Sequence, residues 1–198
     1  MVRVGAAVAA AAIVGLIGRR VAGRGPTRLD TLVRRKVRSN NSRAAKVSAL
    51  AVSLFGYPVV YVPAAVIAAE WLSRRGKRGA GPLAAAALGG WLVHRGIKLV
   101  VVRMRPPSQR GDSNAHRAYP SGHTAGTTSV ALTGAYVLYR EHVLPGAAAG
   151  TLGVAIPILM GMSRVFADEH WMTDVVSGWA TGAAVAAIAA EAYHHSND

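Results

Sequence analysis

Long uncharged, apolar-rich runs alternate with short basic islands along the whole chain. The runs cover residues 4–18, 47–69, 79–93, 124–139, 143–163 and 175–190. A helix needs about 20 residues, range about 17 to 25, to cross about 30 Å of hydrocarbon. The second and fifth runs reach that length unaided. The other four hold 15 or 16 residues and reach it when flanking Arg and Lys side chains snorkel to the interface. Any short run taken singly could be a buried core helix. All six runs together in 198 residues, rich in Ala and Gly that let helices approach closely, predict an all-α, six-helix transmembrane bundle. No strand alternation, fixed-period repeat or low-complexity linker interrupts the pattern, so residues 1–198 read as a single integral-membrane domain.

The first run, with Arg3 ahead of it, has the outline of a signal peptide. Arg19 and Arg20 follow it directly, which is unusual for a cleavage region, so a retained first helix is the preferred reading. Residues 19–46 then hold ten bases and one acid. Within them Leu29, Leu32, Val33 and Val37 fall at helical spacing among Arg28, Arg34, Arg35, Lys36 and Arg38. That pattern predicts an amphipathic interfacial helix between the first two spans, lying in the headgroups with anionic lipids as partners. Pro58 and Pro63 are expected to kink the second span.

Composition sharpens the class. There are 23 Lys and Arg against 9 Asp and Glu, and 52% of residues are apolar, which excludes a disordered or acidic chain. Such a basic excess suits nucleic acid or an anionic membrane surface. Bases clustered between charge-free spans select the membrane, with no nucleic-acid partner. The cysteine count is 0, which leaves no disulfide framework and no Cys-ligated metal.

Three polar islands carry candidate chemistry. In the first, Lys98 and Arg105-Pro106 are seven residues apart, a spacing that would put both cations on one helical face. Ionisable groups at membrane depth are functional candidates by default; Arg95 and Arg103 read as interfacial snorkelling. The second, Pro120-Ser121-Gly122-His123, opens the fourth run. Ser121 suits a helix cap, the first-turn N–H groups suit an anion, and Gly122 permits close approach. The third is Ser163-Arg164-x5-His170-x3-Asp174. Asp174 can orient His170 through one ring nitrogen and leave the other free as nucleophile or base, while Arg164 offers a forked donor to phosphate. Each island alone has a bland reading, as a capping turn, a surface pair or a snorkelling base. In a six-span topology all three fall on one membrane face, where they can form one site.

Lys-x6-Arg-Pro, Pro-Ser-Gly-His and Ser-Arg-x5-His-x3-Asp, in this order, resemble the three signature motifs of the type 2 phosphatidic acid phosphatase superfamily. That group includes integral-membrane lipid phosphatases and soluble vanadium haloperoxidases. The match holds at every motif position across residues 98–174. The resemblance implies that His170 is the nucleophile on phosphorus, that Asp174 holds it, and that His123 protonates the leaving alkoxide and later activates water. It assigns Lys98, Arg105, Arg164, Ser121 and Gly122 to the phosphoryl oxygens. No metal and no cofactor are implied, three cations standing where a metal pair stands elsewhere. The implied substrate is a lipid phosphate at a cell membrane: phosphatidic acid, phosphatidylglycerol phosphate, a polyprenyl diphosphate or a polyprenyl-linked sugar phosphate. A non-enzymatic lipid-binding protein would be expected to lack motif residues, and a vanadate-dependent haloperoxidase belongs to a soluble, larger branch. A transporter would be expected to show an internal repeat.

Residues 108–119, with Arg110, Asp112, His116 and Arg117, are expected over the site as headgroup readers. Asp168 and Glu169 read either as solvent-facing charge or as a screen against highly charged substrates, and His194 and His195 as a solvated tail. On the six-span layout 17 of the 23 bases lie on the site's side, which points it to the cytoplasm. The habit of the resembled family points it outward.

Overall fold

The computed structural model describes residues 2–40, 42–109, 111 and 115–195. Among these it forms eight helices: α1 (Val2–Val21), α2 (Arg28–Asn40), α3 (Arg43–Leu54), α4 (Pro58–Arg74), α5 (Ala80–Val100), α6 (Gly122–Arg140), α7 (Gly146–Phe166) and α8 (Met172–His195). A 3₁₀ turn at Pro107–Gln109 lies between α5 and α6. Extended pairing among the described residues is limited to an isolated bridge between Arg103 and Arg117, so the all-α reading holds.

Four helices, α1, α5, α7 and α8, are long and apolar enough to cross a bilayer, and α3 with α4 makes a fifth if that pair, bent by 51°, is one span. The second run is therefore not one kinked helix. Pro58 opens α4 at its first turn, where its missing N–H costs nothing, and Pro63 stays inside α4. α6 is less apolar than these because its buried face carries Thr124, Thr127, Thr128, Ser129 and Thr133. It packs against α5, α7 and α8 in the middle of the bundle, where its hydroxyls bond within the protein: Ser129 Oγ donates to the Ala86 carbonyl at 2.9 Å. A helix so enclosed does not need an apolar perimeter. Val8, Leu16, Val59, Ile67, Leu159 and Ile188 are exposed on the outer helices, where lipid is the matching solvent.

Close approach of α6 and α8 depends on small residues. A Cβ on Gly178 would lie 2.9 Å from the Ser121 carbonyl oxygen, and one on Gly182 would lie 2.6 Å from that of Ala125. This contact sets the start of α6 beside the start of α8, where the second polar island begins and the third ends.

α2 forms where the amphipathic pattern predicts a helix, but half of its apolar stripe covers protein. Val33 and Val37 pack on Val165, Phe166, Met172, Val175 and Trp179 at the adjoining ends of α7 and α8, while Leu29 and Leu32 stay exposed. At the far end of the bundle the expected solvated tail is helical. His194 bonds the Tyr136 hydroxyl, and Glu191 lies 3.5 Å from Arg3 and 3.7 Å from His195.

Candidate active site

Lys98 and Arg105 do not share a helix face. α5 ends at Val100, Val101 is extended (φ −102°, ψ 101°), and Pro106-Pro107 bars a return to helix. Residues 103–105 instead lie along 115–118: Arg103 N–H donates to the His116 carbonyl at 2.9 Å and Arg105 N–H to that of Ala115 at 2.7 Å. This crossing carries Arg105 back over the bundle. Lys98 Nζ donates to the Arg117 carbonyl at 2.5 Å.

The start of α6 differs in detail from a side-chain cap. Ser121 occupies the N-cap position without a capping bond. Its hydroxyl accepts from Thr124 Oγ1 at 2.9 Å, and its N–H donates to the Asp174 carbonyl at 3.0 Å. Gly122 has a packing reason as well as a chemical one, since a Cβ there would lie 2.6 Å from His94 Nε2. The His94 ring is fixed by a 2.8 Å bond between Nδ1 and the Gly90 carbonyl. His123 has the edge of Tyr57 against it, ring centroids 4.4 Å apart. Gly56, in the break between α3 and α4, lies so close that its Cβ would fall 2.6 Å from His123 Cδ2.

At the end of α7 the chain makes a Schellman turn. Asp168 N–H donates to the Val165 carbonyl and Glu169 N–H to that of Arg164, each at 3.0 Å. The turn requires a left-handed residue, and Asp168 takes φ 56°, a conformation Asp tolerates better than most side chains. Its carboxylate is clasped by Arg34 at 2.7 and 2.8 Å and by Ser108 Oγ at 2.7 Å. Burial pushes the Asp168 pKa up, but these bonds outweigh it and hold the carboxyl below the usual range. Asp168 is thus neither solvent-facing nor aimed at a substrate. Glu169 is not solvent-facing either, for it contacts Arg164 and lies 3.8 Å from Arg105.

The turn delivers His170 to the mouth of α8. Asp174 sits in the first turn of α8 and reaches back, its Oδ2 accepting from the Trp171 N–H at 2.9 Å and lying 3.4 Å from His170 Nδ1. The pairing forecast from the spacing therefore forms across a helix start. His170 is buried. Burial first, then the charges of Arg105, Lys98 and Arg164, hold its pKa well below the usual imidazole value, so the ring is neutral near pH 7. Buried Arg164 Nε and Nη1 and His123 Nε2 have no hydrogen-bond partner among the described residues.

Lys98, Arg105, His123, Arg164, His170 and Asp174 thus come together, with Ser121 and Gly122 joined to them through the Ser121–Asp174 bond. Of the expected headgroup readers, His116 and Arg117 are exposed and bonded to each other at 3.2 Å; Arg110 and Asp112 lie outside the described residues. Among the described residues no three His, Asp or Glu side chains gather to hold a metal ion.

Sequence reasoning missed Arg103. It does not snorkel; it is 1% exposed and bonds Asp174 Oδ1, Thr173 Oγ1 at 2.7 Å and Asp30 Oδ2 at 2.6 Å. Asp30, His94, Gly56 and Tyr57 were missed as well. Only Asp30 carried a signal, as the lone acid among the ten bases of residues 19–46.

Comparison with known proteins supplies the context. A model of the PAP2 superfamily matches residues 79–198. The lipid A 1-phosphatase of Porphyromonas gingivalis is 33% identical over 96 residues, 48% of this chain. That stretch is 19% of the relative, so the chain matches about a fifth of its length. The crystal structure of a transmembrane PAP2 type phosphatidylglycerolphosphate phosphatase from Bacillus subtilis superposes with a TM-score of 0.81 at 16% identity, covering 97% of each chain. That of Aquifex aeolicus LpxE gives 0.66 at 20% identity, covering 83% of this chain and 96% of the other. At these identities the likeness to the two structures is one of fold. With its apolar helices, that fold makes the chain an integral membrane protein.

Proposed function

The chain belongs to the PAP2 superfamily, the group its three motifs resemble, and from that premise we propose that it hydrolyses a phosphomonoester or diphosphate on a membrane lipid. One observation carries the reading: Arg164 Nε and Nη1 and His123 Nε2 are buried without partners beside a neutral, buried His170. Buried donors left unpaired are costly, and a bound phosphoryl group would satisfy them.

In this reading His170 Nε2 attacks phosphorus while Asp174 accepts the Nδ1–H and holds the ring. Burial and cationic neighbours keep the imidazole unprotonated, which a nucleophile requires. Lys98, Arg105, Arg164, the Ser121 hydroxyl and the Gly122 N–H take the charge spread over the phosphoryl oxygens. The bond to the lipid oxygen breaks as His123, entering as the imidazolium that a bound phosphate dianion favours, delivers its proton to that oxygen. Neutral His123 then removes a proton from water, which attacks phosphorus and frees His170 and phosphate. No metal is needed, because the three cations perform the charge stabilisation.

The site lies among the ends of α5 to α8, reached from a bilayer. We read α1, the bent α3–α4 pair, α5, α6, α7 and α8 as six spans of one domain, with α2 on the site's side, its exposed Leu29 and Leu32 in anionic headgroups. His116 and Arg117, exposed at the rim, and Arg110 read the headgroup. The excess of bases on that side orients it to the cytoplasm.

The test is phosphate release by purified protein in detergent micelles from phosphatidic acid, phosphatidylglycerol phosphate, polyprenyl diphosphate and a polyprenyl-linked sugar phosphate. Release from at least one, with acid-labile phosphate trapped on His170, is expected. No release from any, or unchanged release by folded His170→Ala protein, would refute the reading.

A further inference from the structure

Arg103 lies between two carboxylates that come from opposite ends of the chain. Asp30 on α2 is 1% exposed and Asp174 on α8 is 0% exposed, so all three charges are out of water. Charges buried this deeply persist only when paired and fully hydrogen-bonded. The network meets that demand at both carboxylates and at both Nη atoms of Arg103, while Arg103 Nε has no partner among the described residues. Arg103 Nη2 donates to Asp30 Oδ2 at 2.6 Å, and Nη1 is shared between Thr173 Oγ1 at 2.7 Å and Asp174 Oδ1. The Thr173 hydroxyl in turn donates a hydrogen bond to the Asp30 carboxylate, whose oxygens are 2.9 and 3.0 Å away. The Thr173 and Thr27 N–H groups and the Thr27 hydroxyl also donate to Asp30, each at 2.9 Å.

Asp174 is held at both oxygens: Oδ1 by Arg103, and Oδ2 by the Trp171 N–H on the side that faces His170. Rotation of the carboxylate is therefore set by Arg103, and the position of Arg103 is set by Asp30. We propose that Asp30 and Arg103 are positioning residues for phosphoryl transfer, α2 supplying the carboxylate that fixes Arg103 and thereby aligns Asp174 against His170. The proposal rests on the phosphohistidine reading above. Sharing one guanidinium between two carboxylates also matters electrostatically. If Asp30 loses its charge, the Arg103 cation acts on Asp174 alone and weakens it as the acceptor for His170 Nδ1–H. The phosphoryl cradle of Lys98, Arg105 and Arg164 is untouched, so substrate binding should not change.

The experiment is a double-mutant cycle on phosphate release by full-length protein in micelles, using a substrate the wild type hydrolyses. Asp30→Asn should lower kcat about 10- to 100-fold, taking as a guide the loss on removing a partner that orients a metal-ligating side chain, with KM unchanged within about twofold. In an Asp174→Asn background the same change should have almost no further effect on kcat, because its route of action is gone. A folded Asp30→Asn protein with wild-type kcat overturns the proposal. Equal losses in both backgrounds do the same, for that is what a residue supporting only the fold would give. If Asp30→Asn does not accumulate folded, Thr173→Val removes the hydroxyl shared by Arg103 and Asp30 and should lower kcat with KM unchanged; an unchanged kcat there refutes the coupling. Inactivity of the wild type on every lipid phosphate would instead sink the phosphatase reading and this proposal with it.

Discussion

Gly56→Ala tests whether the break between α3 and α4 is built around His123. The new Cβ would lie 2.6 Å from His123 Cδ2, 2.9 Å from His123 Cβ and 2.7 Å from Met160 Sδ. Carbon atoms pack best about 3.5–4.0 Å apart, so roughly 1 Å of movement is required. Met160 can swing aside, being long and unbranched. The imidazole has less freedom, with Tyr57 in T-shaped contact at a centroid distance of 4.4 Å and its backbone in the first turn of α6. Overpacking of this kind costs about 1–3 kcal/mol of stability, or about 2–4 °C of Tm per kcal/mol for a chain of this size. The larger effect falls on catalysis, where a misplacement of about 1 Å costs about 10²-fold. Phosphate release in micelles, read beside a thermal melt of the same preparation, should show a roughly 10²-fold lower kcat with only a modest fall in Tm. Adding Met160→Ala removes the sulfur contact and leaves both His123 contacts, so activity should stay low. A folded Gly56→Ala protein with kcat within about threefold of wild type would show that the contact does not govern His123.

His170→Ala should abolish turnover, whereas Asp174→Asn, which misorients the imidazole rather than deleting it, should leave measurable release after a loss of up to about 10⁴-fold; equal residual rates would count against separate roles. Activity should survive a chelator and be inhibited by vanadate, which copies five-coordinate phosphorus; loss in chelator restored only by added Mg²⁺ or Zn²⁺ would refute the metal-free scheme. Asp168→Asn keeps a residue that accepts the left-handed turn but loses the Arg34 clasp, costing about 1–3 kcal/mol near neutral pH. Because the folded pKa of Asp168 is lowered, that contribution is full above the unfolded value near 3.8 and fades as pH falls through the folded one. The gap in Tm between wild type and variant should therefore close on acidification below about pH 4. For orientation, Gly111→Cys and Ser73→Cys proteins should be spared and labelled, respectively, by an impermeant thiol reagent on intact cells; the reverse pattern would put the site outside.

The helices and the convergence of the three polar islands were readable because each rests on a local signal. Charge-free runs mark spans whatever their neighbours, and motif spacing survives without knowledge of the path between. Lys98 and Arg105 illustrate the limit: their membership of one site was legible, but the helical-face reason for it was not, because α5 stops at Val100 and the chain crosses back along residues 115–118. Arg103 was misread for the same reason, since a base near a helix end looks like a snorkelling base until its partners arrive from residues 30 and 174. The α3–α4 break was half legible through Pro58. That it places Gly56 and Tyr57 on His123 depends on packing between distant segments, which no local pattern encodes. α6 shows the converse case, where its Thr and Ser content lowers its apolar signal because its neighbours, rather than lipid, surround it.

Asp30 lies well ahead of residues 79–198, the part that the family model matches. In a chain synthesised from its N-terminus, Asp30 exists before Arg103, and Arg103 before Asp174. When α5 and the segment after it reach the membrane, Asp30 is the one acid of the later triad already made. It can serve as the first counter-ion, sparing the bilayer an unpaired guanidinium until α8 brings the second. Biogenesis would then depend on α2 being in place early, and a version truncated to the motif-bearing region would carry every signature residue while leaving Arg103 with one carboxylate partner instead of two.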